Sequence, residues 1–161
     1  MSLTKIKSNL EYRMYGFVPY NISPIQQGIQ FGHAVVEYGL HYGDSMEYKQ
    51  WAKKDKTFII LNGGTTNNST PDKFGTMNML QIDLNVWKIP YATFHEPDLG
   101  DQLTALVFLL DERVWDREKY PDYDMHLNDD VAEWTYYEKL WGDEWRIILD
   151  QREFINDKKL A

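Results

Sequence analysis

Two stretches of the chain gather side chains that can move protons or hold a polarised carbonyl. In the segment Gln26-Gln27-Gly28-Ile29-Gln30-Phe31-Gly32-His33-Ala34-Val35-Val36-Glu37, helical spacing sets Gln26, Gln30, His33 and Glu37 on one stripe. His33 and Glu37 stand four apart, so the carboxylate can orient the imidazole and raise its pKa, as a general base requires. The same spacing is that of an ordinary surface pair, and Gln30 would serve equally well to cap a strand-end carbonyl. The second stretch, Glu96-Pro97-Asp98-Leu99-Gly100-Asp101-Gln102-Leu103-Thr104, brings carboxylates, an amide and a hydroxyl into one loop and the strand after it. Its Pro97-Asp98-Leu99-Gly100 core is also ordinary turn chemistry, with Asp98 free to bond local amides. His33, Glu37, His95 and Asp98 are all of zinc-binding type, but their spacing forms no compact metal motif. Gly63-Gly64 lacks the Gly-Lys-Ser/Thr that would make a phosphate loop. No metal and no cofactor are expected.

The elements that position these groups follow from local rules. Residues 11–20 suit a strand that ends in a turn at Pro19. Ser23-Pro24-Ile25-Gln26 opens a helix, with a hydroxyl cap, a proline preset for the first turn and a glutamine placed for a capping box. On its wheel Ile25, Ile29, Gly32, Val36 and Leu40 form an apolar stripe, predicted to pack on a sheet with Gly32 allowing close approach. The polar row of Gln26, Gln30, His33 and Glu37 would then lie at the rim of a concave site. A second helical piece over 45–54 turns Met46 and Trp51 inward, and the apolar run 57–61 reads as a strand buried on both faces. A loop fills 62–71, a helix runs from about 73 to 87 with Met77, Leu80, Leu84 and Trp87 on one side, and strands occupy 91–94 and 103–110.

After residue 110 the character changes. Trp134, Tyr137, Leu140, Trp141, Trp145, Ile148 and Leu149 recur at helical spacing, which predicts an amphipathic C-terminal helix interrupted near Gly142. So much apolar surface has to dock, on the core of its own chain or on a second copy in a homodimer. At 161 residues, with 43% hydrophobic and 15% aromatic content, the chain fits a single α/β domain over 1–161, with a core at 12–110 and a helical extension at 111–161. There is no cysteine, which excludes disulfides, thiolate metal sites and a cysteine nucleophile and suits a reducing compartment. The start, MSLTKIKSNLEYR, has no apolar stretch of signal-peptide length, and no stretch reaches the roughly 18 apolar residues of a membrane span. A cytoplasmic protein without membrane contact is expected. The net charge of −8 opposes broad association with a polyanion, and the one dense cationic group is Lys49, Lys53, Lys54 and Lys56.

The order strand, helix, strand, helix, two strands resembles the core of the type 2 peptidyl-tRNA hydrolases over roughly residues 12 to 110. Gln30, His33 and Ala34 match that family's first-helix motif, and residues 94–105, with an acidic residue and Thr104, are similar to the segment that begins its last strand. Trp51 also sits where the family has a tryptophan. The resemblance implies a mixed four-stranded sheet flanked by helices and an esterase-like hydrolase acting on peptidyl-tRNA or a related ester. His33, Glu37, Asp98 and Thr104 would then be the catalytic group, and Gln26, Gln30, Glu96 and Gln102 would hold substrate. A tRNA partner would use the lysine patch. The family carries a lysine about one turn before the helix glutamine, where this chain has Pro24 and Gln26, and the family's Asp-Ala-Gly sequence is absent. The Ser-Pro-x-Gln-Gln opening and the Glu-Pro-Asp-Leu loop look closer to small bacterial and phage proteins of this fold. The alternative is therefore a non-catalytic binding or regulatory protein. The two readings differ in whether the lysines line the same cleft as Thr104.

Overall fold

The computed structural model describes residues 9–66 and 75–161. The start of the chain through residue 8, residues 67–71 of the loop expected at 62–71 and the first residues of the helix expected from 73 lie outside the described residues. The chain divides into two compact units, one running to Leu110 and including Lys158–Ala161, the other spanning Asp111–Asp157.

The first unit is an α/β arrangement. Its elements are β1 (Tyr12–Val18), α1 (Pro24–Tyr42), α2 (Met46–Gln50) running into a π turn (Trp51–Asp55), β2 (Thr57–Asn62), α3 (Thr76–Val86), β3 (Ala92–Glu96), a 3₁₀ turn (Pro97–Leu99) and β4 (Gln102–Asp111). The sheet order is β2-β1-β4-β3. β1 and β2 run parallel with Phe17 opposite Leu61, and β3 and β4 run antiparallel with a register shift between Phe94 and His95. The sheet is therefore mixed. The inner strands β1 and β4 are buried along almost their whole length. Gly16 is required on β1, because a Cβ there would press into the Phe31 ring and stand 2.8 Å from the Leu106 carbonyl oxygen.

β2 departs from expectation. The apolar run at 57–61 is not buried on both faces, since Phe58 is 52% exposed and only Leu61 is fully buried. The cause is its place at the sheet edge, where β1 covers one side alone. On the other side the end of the chain supplies a short antiparallel bridge. Leu160 pairs with Leu61, the Asn62 amide donates to the Lys159 carbonyl at 2.8 Å, and the Ala161 amide donates to the Ile60 carbonyl at 3.0 Å. These contacts occupy backbone groups that an open edge would offer to another strand.

α1 begins as its sequence predicts, with the Ser23 hydroxyl accepting from the Gln26 amide at 3.2 Å and Pro24 in the first turn. Gln26 does not complete the capping box; its side chain meets Gln30 instead. The larger correction concerns the face. The stripe predicted to pack on the sheet points outward, with Ile25 76%, Val36 64% and Leu40 75% exposed and Ile29 also exposed. Phe31, Ala34 and Tyr38 are buried in its place, together with Gln30. Phe31 meets Phe58 edge-on and Tyr38 stacks near Tyr48, so the aromatic side of the helix takes the interior and the aliphatic side is left out. Aromatic rings bury more area than aliphatic side chains, which favours this choice. Gly28 and Gly32 lie on the outward face with nothing within 4 Å of where a Cβ would be. Each glycine in a helix interior costs about 0.5–1 kcal/mol relative to alanine, and nothing within the described part of this chain uses the space.

Trp51 is buried as expected and donates from its indole to the Thr57 carbonyl at 3.0 Å. Asp55, at the end of the π turn, accepts from the Tyr12 amide at 2.8 Å and so fixes the start of β1. On α3, Met77, Leu80 and Leu84 are buried, whereas Trp87 falls past the helix end and is partly exposed.

The second unit contains α4 (Glu112–Trp115), α5 (Glu133–Trp141), a 3₁₀ turn (Gly142–Glu144) and α6 (Trp145–Asn156). The break expected near Gly142 occurs there, at a φ of 66° that favours glycine. Tyr137, Trp141 and Ile148 are buried, while Trp134 and Leu140, which the helical pattern would also bury, are exposed. Between α4 and α5 the chain has little regular structure and is organised by side chains. Arg152 is 2% exposed; it donates to the carbonyls of Arg113 at 2.9 Å and Tyr120 at 2.8 Å and to the Asp122 carboxylate at 2.9 Å. Its guanidinium also lies 4.6 Å from the centre of the Trp141 ring. Tyr123 donates to the Val131 carbonyl at 2.6 Å, and its amide donates to the Tyr137 hydroxyl at 2.8 Å. No helix among the described residues is long and apolar enough to cross a membrane.

Candidate functional site

The polar row of α1 meets the end of β3 and the turn after it. There, Ile22, Ser23, Gln26, Ile29, Gln30, His33, Glu96, Asp98 and Leu99 line a cleft of about 500 Å³. Gln30 is its fixed point. Buried at the cleft floor, it accepts from the Thr104 hydroxyl at 2.6 Å and donates to the Glu96 carboxylate at 2.9 Å and to the Gln26 side-chain oxygen at 3.4 Å. A hydroxyl donor on one side and a carboxylate acceptor on the other leave its amide only one sensible orientation. The Thr104 hydroxyl also lies 3.4 Å from the Phe94 carbonyl. A relay thus runs from the interior of the sheet, through Thr104 and Gln30, to Glu96 at the cleft wall.

Glu96 is the last residue of β3 and the cap of the 3₁₀ turn, where its second oxygen accepts from the Asp98 amide at 3.3 Å. The Gln30 hydrogen bond, and after it the Asp98 amide, hold its carboxyl below the usual carboxylate range, with the nearby His33 acting in the same direction. His33 stands exposed on the rim with its ring stacked on Phe94, centroids 4.4 Å apart and planes 18° from parallel. The stack fixes the imidazole plane, a role given in sequence terms to Glu37.

Gln26, Gln30, His33, Glu96 and Asp98 are therefore brought together. Three other sequence-predicted residues are placed differently. Glu37 lies one turn beyond His33 and lines a separate cleft of about 400 Å³ with His41, Tyr42, Gln81, Asn85, Tyr91 and Thr93. The four-residue step keeps it on nearly the same side but carries it about 6 Å further along the helix, where it opens into this other cleft and not the one lined by His33. Thr104 is 0% exposed and lies behind Gln30, where it can position that side chain but cannot touch a ligand. Gln102 faces Glu96 across the β3–β4 ladder and does not line the cleft. Ile29 and Leu99, which with Ile22 give the cleft its apolar wall, are not marked for it by the sequence: periodicity places Ile29 on the stripe predicted to be buried, and Leu99 carries no signal beyond its turn.

The lysines lie elsewhere. Lys49, Lys53 and Lys54 line a third cleft of about 430 Å³ with Asp44, Met46 and Gln50, formed by α2 and the π turn. Among the described residues, the cleft around Gln30 has two carboxylates, one imidazole and neither lysine nor arginine in its lining. Among the described residues no group of three or more His, Cys, Asp or Glu side chains is gathered as a metal site.

Because Gln30 lowers the Glu96 pKa, Gln30→Leu is expected to return it toward the ordinary carboxylate value, read by carboxyl-carbon NMR titration. The sign for stability follows. With a depressed folded pKa, ionised Glu96 stabilises the fold above the unfolded value of about 4.3, and that contribution is lost as pH falls through the lower folded value. The Gln30→Leu protein should show a flatter loss of stability on acidification below about pH 4.3. An unchanged Glu96 titration in that variant would mean that Gln30 does not set the carboxylate.

No protein-family model matches the chain, and no curated protein matches it in sequence.

Proposed function

We propose that the first unit is a binding module whose cleft takes a small cationic group, an ammonium or guanidinium, on a short apolar stem, without turning it over. One observation carries this reading: Glu96 and Asp98 share a cleft wall that, among the described residues, has no lysine or arginine, beside Ile22, Ile29 and Leu99. A carboxylate held in its ionised form and backed by a fixed amide is ready to receive a cation. The sequence resemblance to type 2 peptidyl-tRNA hydrolases is compatible with a fold shared with that family. Two observations weigh against catalysis of its reaction. The threonine that the resemblance assigns to catalysis is buried behind Gln30, and a cleft lined by acids repels a phosphate backbone.

A second reading, hydrolysis of an ester such as that of peptidyl-tRNA, is favoured by His33 standing in the same cleft as Glu96, a pair able to activate water. One set of measurements separates the two. Agmatine and arginine amide, titrated against a neutral alcohol of similar length, should shift the amide NMR signals of Gln30 and Glu96, while the alcohol should not. Glu96→Gln should weaken agmatine at least about tenfold, roughly 1.4 kcal/mol. Equal response to the neutral probe, or no response to either cation, would dispose of the cation-binding reading. Cleavage of peptidyl-tRNA at low salt that disappears in His33→Ala would instead establish the hydrolase.

A further inference from the structure

We propose that two copies of the chain pair through the outward face of α1, antiparallel, about a two-fold axis at the level of Ala34. The face is built from Ile25, Gly28, Ile29, Gly32, Val36 and Leu40, all exposed. It carries no charge, because the one carboxylate of the helix, Glu37, and its imidazoles, His33 and His41, stand on the flank that lines the clefts. In a chain of net charge −8, such a face lets two copies meet without opposing like charges.

The occupant follows from the order of residues along one row. Gly28, Gly32, Val36 and Leu40 succeed one another at four-residue spacing, so the row is a trough for its first half and a ridge for its second. No described residue comes within 4 Å of where a Cβ would stand at either glycine, so the trough is open to a partner. The row drifts about 40° around the helix at each step, so with the two axes crossed by roughly 50° to lay row along row, turning a second copy end for end about Ala34 sets Val36 of one helix over Gly32 of the other and brings Leu40 toward Gly28. Both pairings are satisfied by one axis, and each is made twice. A partner helix of unrelated sequence would match this order only by coincidence, whereas a second copy matches it by symmetry. The glycines, unfavourable within one chain, then have a use, since they let the backbones approach closely.

The area sets the strength. Nineteen residues at 1.5 Å each give a helix about 28 Å long, and two faces about 10 Å wide cover roughly 600 Å² in projection. That area lies below the about 1,000 Å² of a stable specific interface, so the contact is of the weak, transient kind. A reversible dimer with a dissociation constant on the order of tens of micromolar is expected.

Sedimentation velocity on the full chain from about 1 to 200 μM should show a monomer–dimer equilibrium in that range. Gly28→Gln with Gly32→Gln fills the trough without meeting any neighbour and improves helix propensity, so the monomer stays folded by circular dichroism while dimer affinity falls at least about tenfold. The chain has no cysteine, which permits a direct test of register. Gly28→Cys with Leu40→Cys should give an inter-chain disulfide on mild oxidation. Gly28→Cys alone should not, because the two copies of position 28 would lie about 18 Å apart along the axis, beyond disulfide reach. A monomer at every concentration, a dimer that survives the glutamine pair, or equal cross-linking by Gly28→Cys alone would each overturn the proposal. The substituted positions 28, 32 and 40 do not line the cleft around Gln30, but Ile29 belongs to both surfaces, so ligand binding there is scored at concentrations where the chain is monomeric.

Discussion

Arg152→Met is expected to destabilise the second unit by on the order of 3 kcal/mol, with loss of order concentrated in the irregular chain between α4 and α5. The guanidinium is nearly inaccessible and spends its donors on two carbonyls, those of Arg113 and Tyr120, and on Asp122. Methionine preserves the stem and part of the contact with Trp141 but leaves both carbonyls without that donor. Asp122 is half-exposed and can return to water, which keeps the figure below the upper range for breaking a buried ion pair. Lysine should recover less than half of the loss, because a single ammonium cannot reach three acceptors in a planar fork. Thermal melts give the size of the effect, and amide exchange over residues 116–131 gives its place. Lys139→Met, at an exposed position, serves as the control and should stay within about 0.5 kcal/mol of the parent. If Arg152→Met melts with that control, the clamp has no energetic role.

Gly16→Val should be comparably damaging to the first unit, by about 3 kcal/mol, through overpacking. The first added carbon would press on the Phe31 ring and approach both the Leu106 carbonyl oxygen and the Val107 side chain at 2.8 Å. The carbonyl belongs to β4 and cannot retreat without breaking the sheet, so the ring has to move and α1 with it. Gln30 is the residue before Phe31, and its bond to Thr104 depends on that placement. The variant should therefore lose stability in urea and, in whatever remains folded, lose the depressed titration of Glu96. Gly16→Ala should give the same sign with a smaller size. A Gly16→Val protein with the parental urea midpoint and an unchanged Glu96 titration would refute this account of how the cleft is held.

Much of the scaffold could be read from the chain. The Ser23-Pro24 start of α1, the strands in β1, β3 and β4, and the break at Gly142 all rest on local chemistry, and local chemistry is visible in sequence. The two misread features depend on partners that are distant along the chain. α1 has two arcs able to face a sheet, one aliphatic and one carrying Phe31 and Tyr38, and periodicity does not choose between them. The choice is coupled to Gln30, which can be buried because Thr104 and Glu96, 74 and 66 residues away, meet its amide. β2 looks like a central strand because its residues are apolar, but strand order is decided by pairing, which left it at the edge. The candidate site shows the same division. The polar row and the Glu96-to-Asp98 turn were legible as groups, whereas the stack of His33 on Phe94 and the separation of Glu37 into another cleft required the fold.

The short bridge between Leu61 and Leu160 also has a thermodynamic consequence for residues it does not touch. β4 leads into Asp111, and Lys158–Ala161 return to the sheet, so Asp111–Asp157 is a closed loop anchored at both ends in the first unit. When that stretch unfolds while the anchors hold, it gains the freedom of a ring of chain, which is less than that of a loose tail by a loop-closure entropy that grows only with the logarithm of length. The edge pairing thus acts on the second unit as a non-covalent cross-link. Any strand that competes for β2 would also weaken the helices of the second unit, by releasing one of the two anchors that restrain their denatured state.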